Sequence, residues 1–255
     1  MRLEFWKAGL QLDVVLRSRP YARIAYATVV TWVALGGKSL AAEAKHLADA
    51  VGNHDLATAR VVASALVGRD SSDLDASELC RAAVESVAEN TADAVVGPLL
   101  WGAIAGPTGV VIYRAVNTLD AMVGHRSSRY ERFGWAAANF DDLLTWPAAR
   151  LGATLSVALA AFVGGDVWRA WRTLARDGHR HPSPNAGYLE AAFAGAFGIR
   201  LGGQNCYGDR VENRPTLGDG PLPTAATVRQ AAALSRLVSV IATVLCASLA
   251  WWLRR

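Results

Sequence analysis

Three acidic residues, Glu85, Glu89 and Asp93, recur at intervals of four in the segment RAAVESVAENTADAVVGP. On a helix this spacing places three carboxylates in one stripe, where like charges repel by about 0.2–0.5 kcal/mol per exposed pair. Arg81 can pair with Glu85, which leaves Glu89 and Asp93 to a cation from outside the helix, either magnesium or an arginine of another segment. The neighbouring Val84, Val87, Val95 and Val96 make the surroundings apolar and argue against a simply solvated face. A second cluster gathers Arg114, Asn117, Asp120, His125, Arg126, Arg129 and Tyr130. Guanidinium groups grip phosphate or carboxylate bidentately, and a carboxylate among them can bridge a metal. The pair Asp141-Asp142, followed by Arg150, suits metal binding and the N-terminal dipole of an apolar helix equally well. In HPSPNAGYLEAAFAGA, Ser183 or Asn185 is placed to cap a helix whose N-terminus, beside His181, can hold an anion.

These groups need elements to hold them. Of the 255 residues 52% are hydrophobic and 19% charged, and 26 basic against 22 acidic residues give a net charge of +4. The basic side is almost entirely arginine, with lysine only at Lys7, Lys38 and Lys45. No basic-aromatic platform points to nucleic acid. Cys80, Cys206 and Cys246 have neither paired nor zinc-type spacing. No phosphate loop, dinucleotide fingerprint or nucleophile elbow is present, which disfavours P-loop, dinucleotide and serine-hydrolase chemistry.

The pattern is helical throughout. Residues 21–37 read as a short apolar helix, and Arg17, Arg19 and Arg23 before it suggest a cytoplasmic flank. Residues 38–66 read as an amphipathic helix pair broken near Gly52-Asn53, and Asp75 or Ser77 as the cap of a helix over about 76–96. Residues 94–113 carry no charge over a membrane-length run, 151–168 and 237–253 form further apolar segments, and 203–223 read as loop. If 94–113 crossed the bilayer once, the polar motifs on its two sides would face opposite compartments. Their shared composition, with breaks at Gly97-Pro98 and Gly106-Pro107, predicts instead a broken or re-entrant segment buried by protein, with positions 72 and 127 on one face. The expected fold is an all-α, membrane-embedded helical bundle, a single domain over 1–255.

The motifs GRDSSDLD, RAAVESVAENTADAVVGPL, YRAVNTLDAMVGHRSSRYERFGWAAA, HPSPNAGYLEAAFAGA and RLGGQNCYGDRVENRPTLGDG, in order over residues 35–240, resemble the CobD/CbiB family of cobalamin biosynthesis. The resemblance implies adenosylcobinamide-phosphate synthase activity. A corrinoid propionate, that of cobyric acid, is joined as an amide to (R)-1-aminopropan-2-ol or its O-phosphate at the expense of ATP, with magnesium. It also implies a multi-pass protein of the cytoplasmic membrane in contact with lipid and other cobalamin-pathway enzymes, its site facing the cytoplasm. Within that frame Glu85, Glu89, Asp93 and Asp120 are assigned to Mg-ATP, and Arg69, Arg114, Asn117, Arg126, Arg129 and Asn185 to phosphate or propionate. Asp70, His181 and Glu89 are assigned to catalysis by proton transfer. The chain departs from the family pattern in lacking an additional N-terminal apolar helix with its GDP…HPV motif. It also has Asn139-Phe140-Asp141-Asp142 for Arg-Leu-Asp-Asp, and Pro147-Ala148-Ala149-Arg150 for Pro-Ala-Arg. The alternatives are a non-catalytic scaffold or sensor of the same fold, favoured by the short N-terminus, and a transporter, disfavoured by the few apolar segments.

Overall fold

The structure, a computed structural model, describes residues 15–67, 71–123, 131–207 and 210–255. Helix α1 (Pro20–Ala34) is followed by the amphipathic pair α2 (Gly37–Gly52) and α3 (Leu56–Leu66), then α4 (Ala76–Thr91). A π-helical turn, Ala92–Val96, leads from α4 into α5 (Gly97–Val123). Then come α6 (Glu131–Leu159), α7 (Val167–Asp177) and α8 (Ala186–Phe197), the strands β1 (Leu201–Tyr207) and β2 (Arg210–Leu217), and α9 (Ala225–Leu253). Among the described residues four stretches, Pro20–Gly52, Ala76–Val123, Gly134–Val163 and Ala225–Trp252, are long and apolar enough to cross a membrane. Tyr21, Trp32, Trp251 and Trp252 are exposed at or near the ends of α1 and α9, as in the aromatic belts of membrane interfaces.

Helix α5 is two arms. Gly106 adopts φ 66° and ψ −155°, a conformation open to glycine and costly for other residues, and Pro107 starts the second arm where its missing N–H costs nothing. The chain reverses there. A side chain at Gly97 would collide with the Tyr113 ring, one at Gly109 with the Trp101 carbonyl, and one at Gly102 would lie 2.9 Å from Val110 Cγ2. Residues sixteen apart in a straight helix would be separated by about 24 Å, so these contacts require an antiparallel hairpin. The re-entrant reading of 94–113 is thereby realised: small residues let the two arms touch.

Helix α1 runs beside the hairpin. Its C-terminal end meets the hairpin base, where Gly36 N–H donates to the Ala94 carbonyl at 3.0 Å. Its N-terminal end meets the tip, where the Arg23 guanidinium approaches Gly106. The fifteen residues of α1 span about 22 Å between these levels.

Two expectations are corrected. Residues 203–223 are not simply loop, since β1 and β2 form an antiparallel ladder with a register irregularity between Leu201 and Gly203. This ladder is held by its own backbone bonds and by α4 rather than by a hydrophobic alternation, so no periodicity announces it. Asp141-Asp142 do not precede a helix; they lie inside α6 and cannot serve its N-terminal dipole.

Candidate functional site

Two polar centres emerge. The first lies at the base of the hairpin. The four-residue spacing carries Glu89 to the end of α4, and the π turn then adds a residue and holds Asp93; such turns concentrate at functional sites. The returning arm brings Arg114 and Asn117 back to the same level, with Arg114 Nη1 donating to Asn117 Oδ1 at 2.9 Å. Asn117 Nδ2 donates onward to Asp141 Oδ1 at 3.3 Å, tying α5 to α6. Asp93 interacts electrostatically with Glu89, Asp141, Arg114 and Asp120, and Asp142 interacts with Asp120. Five carboxylates from four elements, α4, the π turn, α5 and α6, thus gather about one guanidinium and one carboxamide. The layer beneath is fixed by Tyr113, hydrogen-bonded to Thr145 at 3.1 Å, and by Trp101 Nε1, which donates to the Leu144 carbonyl at 2.8 Å.

Asn185 extends this centre to α8. It sits at the N-cap position, yet its side chain is turned away: Nδ2 donates to the Asp142 carbonyl at 2.8 Å, and Oδ1 accepts from Arg150 Nη1 at 2.8 Å. Ser183 Oγ takes over the capping, accepting from the N–H groups of Asn185 and Ala186 at 3.2 Å each. The Arg150 guanidinium packs over Tyr188 and Trp146, 4.0 and 4.7 Å from their ring centres. Asp141, Asp142 and Arg150 therefore join the group that the sequence assigned to Asp93, Asp120, Arg114, Asn117 and Asn185. The signal for them was present in the paired acids, but their partner lies on another arm.

The second centre contains Glu85 and His181. Glu85 does not stand with the other acids. Its Oε1 accepts from Arg81 Nη1 at 3.0 Å and from Gly202 N–H at 2.9 Å, so its metal assignment gives way to a structural role. Arg81, only 2% exposed, also donates to the Gly202 and Gln204 carbonyls at 2.7 and 2.9 Å and to Glu78 at 2.6 Å. His181 is not brought to the hairpin base. It is buried against Gly187 of α8, its Nδ1 accepts from Ser183 N–H at 3.0 Å, and its neighbours include Glu190, Arg214, Glu85 and Glu212. Nε2 lies 3.8 Å from Glu190 Oε1, beyond a hydrogen bond.

Burial first, and then the Arg214 guanidinium, lower the His181 pKa to about 4, so the imidazole is neutral near pH 7 and the Glu190 contact is not an ion pair. Because the folded value lies below the unfolded one, the stabilisation is complete above about pH 6.5 and is lost as the pH falls towards 4. The wild-type chain should lose on the order of 3 kcal/mol more than a His181→Phe variant across that window. Denaturant unfolding in detergent at pH 7, 5.5 and 4 measures this, and parallel curves for the two proteins would remove His181 as the cause.

Arg69, Asp70, Arg126 and Arg129 lie outside the described residues, as do His125 and Tyr130. Among the described residues no three His, Cys, Asp or Glu side chains come together closely enough to hold a metal ion by themselves. The basic flank at Arg19 and Arg23 and the acidic centre lie at opposite ends of α1, so they would face opposite sides of any membrane that α1 crosses, where a cytoplasmic flank and a cytoplasmic site would be alternatives.

Comparison with known proteins gives this chain a lineage. The model of the family described as CobD/Cbib protein matches residues 5–235. The cobalamin biosynthesis protein CobD of Mycobacterium tuberculosis is 51% identical over 235 residues, covering 92% of this chain and 74% of that protein. The protein of the same name from Geobacter metallireducens is 45% identical, covering 82% of this chain and 65% of the relative; for Rhodobacter capsulatus the figures are 50%, 71% and 57%. No solved structure matches. With its re-entrant hairpin and its polar motifs in order, the chain belongs to the CobD/CbiB family.

Proposed function

We propose that the chain acts in cobalamin biosynthesis as an ATP-dependent ligase. It would form an amide between a corrinoid propionate, that of cobyric acid, and (R)-1-aminopropan-2-ol or its O-phosphate. The observation that carries the proposal is the convergence of Glu89, Asp93, Asp120, Asp141 and Asp142 on Arg114 and Asn117 at the hairpin base. A carboxylate does not acylate an amine at neutral pH, because its oxygen is a poor leaving group. Transfer of a phosphoryl group onto that oxygen makes it a good one. Arg114 presents a planar, permanently charged fork to the phosphate or propionate, and Asn117 holds that fork in place. Arg69, Arg126 and Arg129 are proposed to add charge to the same anions. A carboxylate of the cluster accepts the ammonium proton, so that the amine attacks as a neutral nucleophile.

Magnesium fits this donor set. It takes hard oxygen ligands, and it is usually held by one or two carboxylates together with substrate phosphates rather than by an all-protein cage. One or two of Glu89, Asp93 and Asp120 would hold it together with the substrate phosphates, and when bound it would neutralise charge on the transferring phosphoryl group. The acidic centre is assigned to the cytoplasmic side of the cell membrane, where ATP is available.

The test is growth of a synthase-deficient strain on cobyric acid, together with corrinoid product formation by membranes. The wild-type chain should support both. Glu89→Ala and Asp120→Ala should each lower product formation by about tenfold or more at unchanged protein level. Undiminished product in either variant removes that residue from the site, and failure of the wild-type chain to complement removes the ligase assignment.

A further inference from the structure

Arg150, on α6, is held so that one edge of its guanidinium stays open. Its Cζ lies 4.0 Å from the ring centre of Tyr188 on α8 and 4.7 Å from that of Trp146, one turn earlier on α6. The rings occupy the space over the guanidinium plane, so further partners are met at its N–H groups. Nη1 is already committed. It donates to Asn185 Oδ1 at 2.8 Å and, at 3.5 Å, to the Trp146 carbonyl. Nε and Nη2 donate to no acceptor among the described residues. Asn185 Nδ2 donates in turn to the Asp142 carbonyl at 2.8 Å and to Asp142 Oδ1 at 3.3 Å, so one side chain separates Arg150 from the acidic centre. Arg150 is half-buried and Trp146 is 53% exposed, which leaves a ligand room to approach.

The partners of Arg150 are two rings, an amide oxygen and a carbonyl oxygen, all of them neutral. They fix its orientation and leave its charge in place. The Nε and Nη2 N–H groups are parallel donors spaced for the two oxygens of one oxyanion. A carboxylate matches that edge in shape and in charge, being planar and singly negative. Any carboxylate substrate must also come close to Glu89, Asp93, Asp120, Asp141 and Asp142, which repel it. A guanidinium at the rim of that centre offsets the repulsion at the place where the substrate enters. We infer that Arg150 receives the corrinoid carboxylate: its Nε/Nη2 edge grips the propionate that is to be amidated, and the Asn185 link to Asp142 keeps that propionate beside the acidic centre. The assignment rests on the ligase reading and divides its anions between two arginines. Arg114, among the acids, serves the phosphate, and Arg150 serves the carboxylate.

Equilibrium dialysis of the full chain in detergent, without ATP, tests this through the absorbance of bound corrinoid. The probes are cobyric acid and the methyl ester of its propionate. The wild-type chain should bind the acid about tenfold more tightly than the ester. Arg150→Gln should bind the two alike, and in the coupled reaction its KM for cobyric acid should rise by a similar factor with the KM for ATP unchanged. Arg150→Lys keeps the charge and loses the fork, so it should fall between the two, and it carries the test alone if Arg150→Gln does not fold. Equal binding of acid and ester by the wild-type chain, or discrimination that survives in the variants, would overturn the assignment. So would a rise in the KM for ATP in place of that for the corrinoid, which would give the edge to phosphate. Wild-type discrimination without amide formation would keep the carboxylate site and remove the ligase; amide formation with discrimination intact in Arg150→Gln would do the reverse.

Discussion

Replacing Gly97 with leucine should prevent the hairpin from closing. The new side chain would occupy the space of the Tyr113 ring, and that ring cannot swing aside freely because its hydroxyl is tied to Thr145. Overpacking of a well-filled core typically costs about 1–3 kcal/mol and occasionally more. A collision that separates two membrane-embedded arms belongs at or above the upper end, about 3 kcal/mol. The variant should be recovered in poor yield, with a thermal midpoint well below wild type. The surviving fraction should lack the proposed ligase activity, because parting the arms takes Asp93 away from Arg114. Gly106→Ala gives a graded comparison: it meets strain at a positive φ but collides with nothing, at roughly 1–2 kcal/mol. Equal stability of Gly97→Leu and wild type in detergent unfolding would mean that the arms do not pack as described.

Replacing Arg81 with methionine should be at least as damaging, by a different route. Arg81 joins α4 to β1, and its loss leaves the Gly202 and Gln204 carbonyls and the Glu85 carboxylate without this donor. Removing one partner of a buried ion pair costs about 3–5 kcal/mol, because the other charge stays buried. The double variant Arg81→Met/Glu85→Leu should recover part of that loss, since it removes the stranded carboxylate along with its partner. Chemical denaturation of the three proteins decides the matter. A single variant within about 1 kcal/mol of wild type, or a double variant worse than the single, would show that the pair is not the fastening between α4 and the strands.

The parts of the fold that follow local rules were legible in the sequence. The break at Gly52-Asn53, the Asp75 cap with its side chain accepting from Glu78 N–H at 2.9 Å, and the reversal at Gly106-Pro107 all rest on residue types with one dominant local use. The β-hairpin was not legible. Its first strand carries glycines at positive φ, and its anchor is an arginine more than a hundred residues earlier. The acidic stripe was legible as a stripe but not as two separate sites. Nothing in the four-residue spacing says that Glu85 faces the strands while Asp93, carried by a π turn, faces the returning arm. The Asn185 side chain was read through its capping propensity; Ser183 supplies that cap, which frees Asn185 to join Arg150 to Asp142.

The candidate site requires a hairpin that enters and leaves on one face, so that acids and arginine distant in sequence share a compartment. Single cysteines at positions 72, 122 and 21, introduced one at a time after Cys80, Cys206 and Cys246 are replaced by serine, test this in sealed vesicles with an impermeant thiol reagent. Ser72, Met122 and Tyr21 are all exposed, so each reports its own face. Positions 72 and 122 should label together and position 21 from the opposite side. Labelling of 72 and 122 from opposite faces would mean that residues 94–113 cross the membrane once, and the candidate site would be divided between two compartments.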